Sequence, residues 1–466
     1  MKLEDIIKGT GARVLTGALD ASIDAISCDS RTVTPGTAFF AVKGHDRDGH
    51  DYIEAAIEAG ASAVVSASRK DLALCAANFY GHPSEKLQLV GITGTNGKTT
   101  TVTLLYNMMR SLGYECGLLS TIANYVGSRR TETTNTTSDP ITINRLLAEM
   151  VDAGCEYCFM EVSSIGVEQE RVAYLEFAVG IFSNLTHDHL DYHGTFAEYL
   201  RCKKLFFDNL PAGAAAITNI DDRNGSVMVQ NTRANVVTYS CRGAADHNCR
   251  IIEESFDGML LKIDGIEVWT KLIGAHNAYN LLAIYSAAVA LGTPVEEALI
   301  ALSKLESAPG RLENHRGPRD LSVIIDYAHT PDAMENVLKT LRDVAPEREL
   351  ICLFGCGGDR DKTKRPEMAA VAEKFADRIF VTSDNSRTER TEDIIEDIKK
   401  GFTPSGLAKA ICISDRREAI RTAIMLAPEG ATILLAGKGH EDYQILGTEK
   451  LHFDEKEIVD EVFKTL

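Results

Sequence analysis

The sequence predicts an α/β protein of three domains: a small N-terminal α/β domain, a central domain with a mostly parallel sheet, and a C-terminal doubly wound domain of Rossmann-like rhythm. Three observations carry this. The chain has 466 residues, too many for one ordinary domain. Short apolar runs alternate with helix-length amphipathic ones, as in parallel sheets covered by helices. The alternation also breaks twice, once at a turn-rich stretch near residue 85 and again near 315, where the rhythm restarts. The boundaries that follow are 1–87, 88–313 and 314–466.

Residues 1 to about 85 alternate short strands and helices, for example a strand at 38–42 and a helix at 51–59. Tyr80-Gly81-His82-Pro83-Ser84-Glu85 reads as a linker. An apolar strand at 87–90 then meets a glycine-rich turn and a helix at 101–112. A helix at 141–153 starts behind Ser138-Asp139, a cap placed just before Pro140. Buried strands follow at 157–162 and 177–182, then a helix at 195–210. Two helices at 280–291 and 294–305 are parted by Gly292-Thr293. The C-terminal strands are expected at 322–325, 350–354, 378–381, 410–413 and 432–436, with helices such as 331–344, 366–375 and 392–400 between them. No G-x-G-x-x-G run opens the first of these helices, so a dinucleotide is not implied.

Composition narrows the function. An apolar share of 44% and a charged share of 25% are those of a globular protein. The net charge of −18 argues against nucleic acid and against an anionic membrane surface as partners. No apolar run is long enough to span a bilayer. Met1-Lys2-Leu3-Glu4-Asp5 lacks the basic-then-apolar pattern of a signal peptide, so the cytoplasm is expected. The eleven scattered cysteines read as reduced thiols. Cys155-x-x-Cys158 reads as core, because its second cysteine falls in an apolar run and no second Cys/His pair has zinc-finger spacing.

The most explicit chemistry lies in Gly91-Ile92-Thr93-Gly94-Thr95-Asn96-Gly97-Lys98-Thr99-Thr100, set between strand and helix. Such a turn aims backbone N–H groups at one point, suited to a polyphosphate. Lys98 would reach the terminal phosphates and the Thr99 hydroxyl a magnesium ion. Ile92 stands where the general pattern has its first glycine. Glu161 ends the strand at 157–162, where a carboxylate near such a turn is a second handle on magnesium; alone it would read better as a loop acid. The run 184–194 brings His187, Asp188, His189, Asp191 and His193 together after another strand. Zinc is the rival reading there, weakened by the lack of an H-E-x-x-H helix or nearby cysteine ligands. Lys203 lies on an amphipathic helix and alone carries no signal. Three further clusters follow C-terminal strands: 359–365 after Gly357-Gly358, Asp384-Asn385-Ser386-Arg387, and Gly437-Lys438-Gly439-His440-Glu441. They would line one sheet edge, and the dense basic charge of 359–365 is apt for a carboxylate or phosphate.

The phosphate-binding turn, Glu161-Val162-Ser163-Ser164, Asp188-His189-Leu190-Asp191-Tyr192-His193-Gly194, Gly310-Arg311-Leu312-Glu313 and Asp326-Tyr327-Ala328-His329-Thr330-Pro331-Asp332 occur in this order. In that order they resemble the signatures of the Mur ligase family, over essentially the whole chain. Ile92 matches the family's own form of the turn.

The resemblance implies an ATP-dependent amide ligase of peptidoglycan precursor synthesis. ATP would phosphorylate the D-Glu γ-carboxylate of UDP-MurNAc-L-Ala-D-Glu, and the amine of a diamino acid would attack the acyl phosphate. The N-terminal domain becomes a UDP-binding domain and the central one a P-loop ATPase. ATP contacts would be Gly94, Thr95, Asn96, Gly97, Lys98, Thr99 and Thr100, with Asn277 near the base and Arg311, Asp326 and His329. His276 departs from the family, which commonly has phenylalanine there. The catalytic set would be Lys98, Glu161, His189 and Lys203, the last as a carbamylated lysine. Thr99 and Glu161 would hold one Mg2+, and His189 and Lys203 a second. The UDP-sugar dipeptide would meet Cys28, Ser30, His45, Asp46 and Arg47, then Asn135, Thr136, Thr137, Ser163, Gln169 and Arg171.

For the amino acid, the family's D-N-P-R motif maps to Asp384, Asn385, Ser386 and Arg387, with serine in place of proline. Arg387 would pair with the distal carboxylate that meso-diaminopimelate has and lysine lacks. Arg360, Gly437 and Glu441 would hold the reacting end. A monomer is expected. The rival readings are a lysine-adding form of the same ligase, a folylpolyglutamate synthase-type ligase, and a nucleotide-driven switch that hydrolyses ATP without ligation.

Overall fold

Leu3, Ile6, Phe40, Val65 and Leu72 lose their exposure to one shared core, and the N-terminal residues fold around it. Strands β1 (Arg13–Thr16), β2 (Ala25–Ser27), β3 (Thr37–Val42) and β4 (Ala63–Ala67) make a sheet of order β1-β4-β3-β2. Strands β2, β3 and β4 are parallel, and β1 joins the edge antiparallel. The computed structural model describes residues 1–44, 47–133, 135–186 and 190–466, with backbone alone at 190 and 191. His45, Asp46, His187, Asp188 and His189, expected as site residues or as part of the histidine cluster, lie outside the described residues.

The chain forms two compact units, residues 1–249 with 280–302, and residues 250–279 with 303–466. Beside the N-terminal sheet, the first unit holds β5 (Gln88–Thr93), β6 (Cys116–Leu119), β7 (Asn124–Val126), β8 (Arg129–Thr131), β9 (Tyr157–Glu161), β10 (Val179–Phe182), β11 (Ala215–Asn219) and β12 (Asn235–Ser240). Their order is β12-β11-β10-β5-β9-β6-β7-β8, parallel through β6 and antiparallel beyond it. Strand β5 lies between β10 and β9, with Thr93 paired to Phe182 and Ile92 to Glu161. Three segments distant in sequence therefore leave the sheet side by side at the carboxyl edge, where open α/β sheets bind ligands. Helix Pro140–Asp152 starts as expected, with the Asp139 carboxylate accepting from the N–H groups of Ile141 and Thr142.

Strand β13 (His247–Ser255) straddles the boundary between the units. The second unit contains the antiparallel pair β14 (Gly258–Ile263) and β15 (Ile266–Thr270) and a six-stranded sheet. The sheet comprises β16 (Glu313–Arg316), β17 (Ser322–Asp326), β18 (Leu350–Phe354), β19 (Arg378–Val381), β20 (Ala410–Cys412) and β21 (Thr432–Ala436), in the order β16-β17-β21-β18-β19-β20. All neighbours are parallel except β16, which is an antiparallel edge. Apolar clusters fill both faces, so the fold is doubly wound as the rhythm predicts. A last hairpin pairs β22 (Tyr443–Leu446) with β23 (Glu449–His452).

Several elements differ from the sequence reading. The helix expected at 51–59 is a 3-10 turn, Gly49–Tyr52, leading into helix Ile53–Glu58, because Asp48 caps one residue set earlier. The helix expected from 280 begins at Ala275, with the Asn277 amide donating to the Ile273 carbonyl inside its first turn. Strands β12 to β16 and the β22–β23 hairpin have no counterpart in the sequence reading. In β13 to β16 and in β23, charged residues on half-exposed faces dilute the apolar signal.

Candidate active site

The phosphate-binding turn connects β5 to helix Lys98–Ser111. Its shape requires glycine at 94: φ is +154°, and a Cβ there would fall 1.9 Å from the Ser183 hydroxyl. The turn is tied to the end of β10. Thr95 N–H donates to the Asn184 carbonyl at 2.8 Å, Asn96 N–H to Asn184 Oδ1 at 2.9 Å, and the Ser183 hydroxyl to the Asn96 carbonyl at 2.7 Å. Lys98 folds back over the turn, its ammonium donating to the carbonyls of Gly94 at 3.0 Å and Thr95 at 2.9 Å.

Glu161, at the tip of β9, is 1% exposed. Its Oε1 accepts from the Thr99 hydroxyl at 2.9 Å and from the Thr121 N–H at 2.8 Å. A buried carboxylate keeps such partners because an unpaired one is costly. Lys203, from helix Phe196–Asp208, reaches the opposite side of β5. It is 1% exposed, and its Nζ donates to the Gly94 carbonyl at 2.8 Å, with the Tyr199 ring centred 4.7 Å away. Tyr199 Oη in turn lies 3.1 Å from the Thr95 hydroxyl. The expected residues Lys98, Thr99, Glu161 and Lys203 thus meet at one sheet edge. Thr121, Ser183, Asn184 and Tyr199 join them without having been expected. No spacing rule links them to the turn, because strand order alone brings them there.

Beyond Glu161, the Thr137 hydroxyl donates to the Glu161 carbonyl at 2.8 Å and accepts from the Ser163 N–H at 3.0 Å. Thr136 accepts from the Thr121 hydroxyl at 3.1 Å. Arg171 donates to the Thr137 carbonyl at 2.6 Å and to Gln169 Oε1 at 2.7 Å. Thr136, Thr137, Ser163, Gln169 and Arg171 therefore form one connected set beside the turn. Asn135, whose carbonyl accepts from the Thr133 hydroxyl, adjoins Thr136 in sequence. In the N-terminal part, Ser30 opens a 3-10 turn capped by Asp29, and Cys28 and Arg47 are exposed. All eleven cysteines are free thiols, Cys155 and Cys158 among them.

The second unit gathers its own cluster at the ends of β18, β19 and β21. Gly358 packs so closely on the loop after β19 that a Cβ would sit 1.9 Å from the Ser386 carbonyl. Arg387 donates to the Gly358 carbonyl at 2.8 Å and has φ +49°, a left-handed conformation unusual for arginine. The β22–β23 hairpin holds it there: Arg387 N–H donates to the Ile445 carbonyl and Gly447 N–H to the Arg387 carbonyl. Asn385 donates to Glu441 Oε2 at 3.0 Å. Asp384, Asn385, Ser386, Arg387, Gly437 and Glu441 are thus brought together. Arg360 is exposed.

Two arginines anchor this cluster, Arg416 without having been expected and Arg365 as the last residue of the basic run 359–365. Arg416 and Glu455, 0% and 1% exposed, pair at 2.7 Å. Arg416 also donates to the carbonyls of Ser383 and Ala436, the residues just before Asp384 and Gly437. Arg365, equally buried, pairs with Glu389 and Asp397 and donates to the Gly357 carbonyl. Arg416 gave no signal, because an arginine in an amphipathic helix reads as a solvated charge, and nothing in the run 359–365 marks Arg365 as the buried member.

Asp326 ends β17 and accepts from the N–H groups of Leu312 and Ala328. Burial pushes its carboxyl above the ordinary range, opposed by the Arg311 charge. Arg311 stacks its guanidinium 4.9 Å from the Tyr327 ring centre. His329 Nδ1 lies 2.8 Å from the Tyr327 carbonyl. His276 sits against Gly274 and Thr340, and burial brings its pKa down to about 4 from 6.5. A histidine so depressed contributes stability that is complete above 6.5 and drains away as pH falls toward 4. Thermal melts of His276→Phe should therefore lose part of the acid sensitivity that the unaltered chain has in that window.

Comparisons with known proteins identify the family. Residues 92–289 match the Mur ligase middle domain, 310–439 the Mur ligase glutamate ligase domain, and 22–93 the Mur ligase family catalytic domain. The chain is 50% identical over 481 residues to a UDP-N-acetylmuramoyl-L-alanyl-D-glutamate--2,6-diaminopimelate ligase of Phocaeicola vulgatus, covering 99% of both chains. It is also 50% identical to the protein of the same name from Parabacteroides distasonis, covering 100% of this chain and 99% of that one. A solved structure of a ligase of that name superposes with a TM-score of 0.72 at 30% identity, over 100% of this chain and 99% of its own. Matched along its length by the family's three segments and by full-length relatives at half identity, the chain belongs to the Mur ligase family.

Proposed function

We propose that the chain is an ATP-dependent ligase that joins meso-diaminopimelate to the D-Glu γ-carboxylate of UDP-MurNAc-L-Ala-D-Glu, releasing ADP and phosphate. The observation that carries the reading is the meeting of Lys98, Thr99, Glu161 and Lys203 around a phosphate-binding turn. The names of the half-identical relatives supply the acceptors.

A carboxylate resists attack by an amine until one oxygen becomes a leaving group. Transfer of the γ-phosphoryl of ATP to that oxygen gives an acyl phosphate. The amine then adds to the carbonyl carbon and phosphate leaves from the tetrahedral intermediate, with one proton lost from the nitrogen. Both steps need anions aligned and their charge neutralised. Lys98 is poised for this, since its ammonium can exchange the Gly94 and Thr95 carbonyls for phosphate oxygens. The family implies magnesium, and the donor set suits it: the Thr99 hydroxyl and the Glu161 carboxylate are hard oxygens 2.9 Å apart. When bound, the metal would neutralise charge on the phosphate oxygens. Thr99 and Glu161 would hold one ion. His189 and Lys203 would serve a second, with Lys203 carbamylated and thereby turned from cation to anion. A carbamate signal in carbon NMR after incubation with labelled bicarbonate, lost in Lys203→Ala, would test that modification.

On this reading the domains are 1–87 for the UDP-sugar, 88–313 for ATP and 314–466 for the amino acid. Cys28, Ser30, His45, Asp46 and Arg47 serve the UDP-sugar, and the set from Asn135 to Arg171 its dipeptide. Asn277, Arg311, Asp326 and His329 contribute to ATP. Arg360, Asp384 to Arg387, Gly437 and Glu441 take the amino acid. The free thiols suit a cytoplasmic protein, working as a monomer. Among the described residues no helix is long and apolar enough to cross a membrane.

The decisive experiment is phosphate release with the UDP-muramoyl dipeptide, meso-diaminopimelate and L-lysine tested in parallel. Turnover with lysine alone rejects the choice of amino acid, and release independent of the dipeptide rejects ligation. Arg387→Ala should raise KM for meso-diaminopimelate by about 10–100-fold, the worth of a lost charge-assisted contact. Arg387→Lys should recover little, because a single ammonium cannot replace the fork.

A further inference from the structure

Lys438 has no task in the function proposed above, yet its ammonium meets three of the residues given to the amino acid. Its side chain is 0% exposed. Nζ lies 3.1 Å from Glu441 Oε2, 3.3 Å from Asn385 Oδ1 and 3.7 Å from Asp384 Oδ1. The rings of Tyr443 and Phe453 are centred 5.6 and 5.8 Å from it. A lysine has donors only, so its position dictates how Asn385 is turned. The amide oxygen faces Lys438 and also accepts from Ile445 N–H at 2.9 Å, while the amide nitrogen donates to Glu441 at 3.0 Å.

The charges around it are informative. Arg416 and Glu455 cancel one another. Lys438 then faces two carboxylates, Asp384 and Glu441, and these three groups by themselves sum to one negative charge, with the Arg387 guanidinium donating instead to the Gly358 carbonyl. That remainder suits the ammonium group of an incoming amino acid. Without the lysine, two largely buried carboxylates would share a pocket with no fixed cation between them, and Asn385 would lose its orientation. Lys438 also differs from Arg365 and Arg416. Those side chains bind backbone carbonyls, whereas the partners of Lys438 among the described residues are pocket side chains.

We propose that Lys438 is a positioning residue of the amino-acid pocket, holding Asp384, Asn385 and Glu441 in the arrangement that receives the diamino acid. The proposal rests on the ligase reading above. Its test is steady-state phosphate release by the full-length chain and by Lys438→Met, Lys438→Gln and Lys438→Arg, with each substrate varied in turn. Lys438→Met should raise KM for meso-diaminopimelate by about tenfold or more, with KM for ATP and for the muramoyl dipeptide held within about twofold. Lys438→Arg restores the cation and should recover part of the loss, and Lys438→Gln should not. If Lys438→Met does not fold, the contrast between the glutamine and arginine variants decides the same point. An unchanged KM for meso-diaminopimelate, or three KM values rising together with a lowered melting temperature, overturns the proposal and leaves Lys438 a scaffold charge. Absence of any dipeptide-dependent turnover by the unaltered chain instead rejects the ligase reading, and the proposal with it.

Discussion

Lys98→Ala is expected to lower kcat/KM for ligation by about 10²–10³-fold while leaving the melting temperature nearly unchanged. The two halves of this expectation have different origins. In the folded chain the Lys98 ammonium rests on the carbonyls of Gly94 and Thr95 at a partly exposed turn, where water can replace it at little cost. During phosphoryl transfer, negative charge must be met by a donor already in place. Lys98 needs only to exchange partners within the turn, so little side-chain entropy remains to be lost. Phosphate release combined with thermal melts separates the two effects. Full activity in the variant would remove Lys98 from the chemistry, and a large drop in melting temperature would make it structural.

Arg416→Met should destabilise the fold by about 3–5 kcal/mol although the side chain is expected to touch no ligand. Glu455 is the reason. Burial raises its carboxyl above the ordinary range, against the opposing pull of Arg416. Removing the arginine leaves an acid in the core and takes the donors from the Ser383 and Ala436 carbonyls. The sign with pH follows. A carboxyl whose folded-state pKa is raised favours folding at low pH and loses that contribution as pH rises through the raised value. The deficit of the variant should be greatest near neutrality and shrink as pH falls. Adding Glu455→Met to Arg416→Met should return much of the loss, since an apolar pair can replace a buried ion pair. Denaturant unfolding of the single and double variants, followed across pH, measures both. No recovery on adding Glu455→Met to Arg416→Met would contradict the scheme.

Much of this was legible before the structure, for reasons particular residues make plain. The phosphate-binding turn is local: strand, glycines, Lys98 and Thr99 lie within a dozen residues, and their spacing carries the chemistry. The Asp139 cap before Pro140 is local too. Lys203 was different. Its helix pattern gave no sign of burial, and only the family resemblance singled it out. Its place against Gly94 depends on β10 lying beside β5, which no short window contains. In the sequence Lys438 stands out only as part of a glycine-rich loop cluster. Its partners Asp384 and Asn385 lie more than fifty residues away, and a lysine between glycines reads as solvated. The left-handed Arg387 was hidden for a related reason, because the hairpin that holds it mixes charged and apolar residues.

The partition of the chain has an evolutionary consequence. Lys98, Thr99, Glu161 and Lys203 belong to one compact unit, while Arg360, Asp384, Asn385, Arg387, Lys438 and Glu441 belong to the other. The residues proposed to activate a carboxylate and those proposed to choose the amine are thus encoded in separate stretches. Selection can rewrite the loops after β18, β19 and β21 without disturbing the phosphate turn. A lineage could therefore change the amino acid built into its cell wall through substitutions confined to the last third of the gene, keeping its energy-coupling chemistry intact.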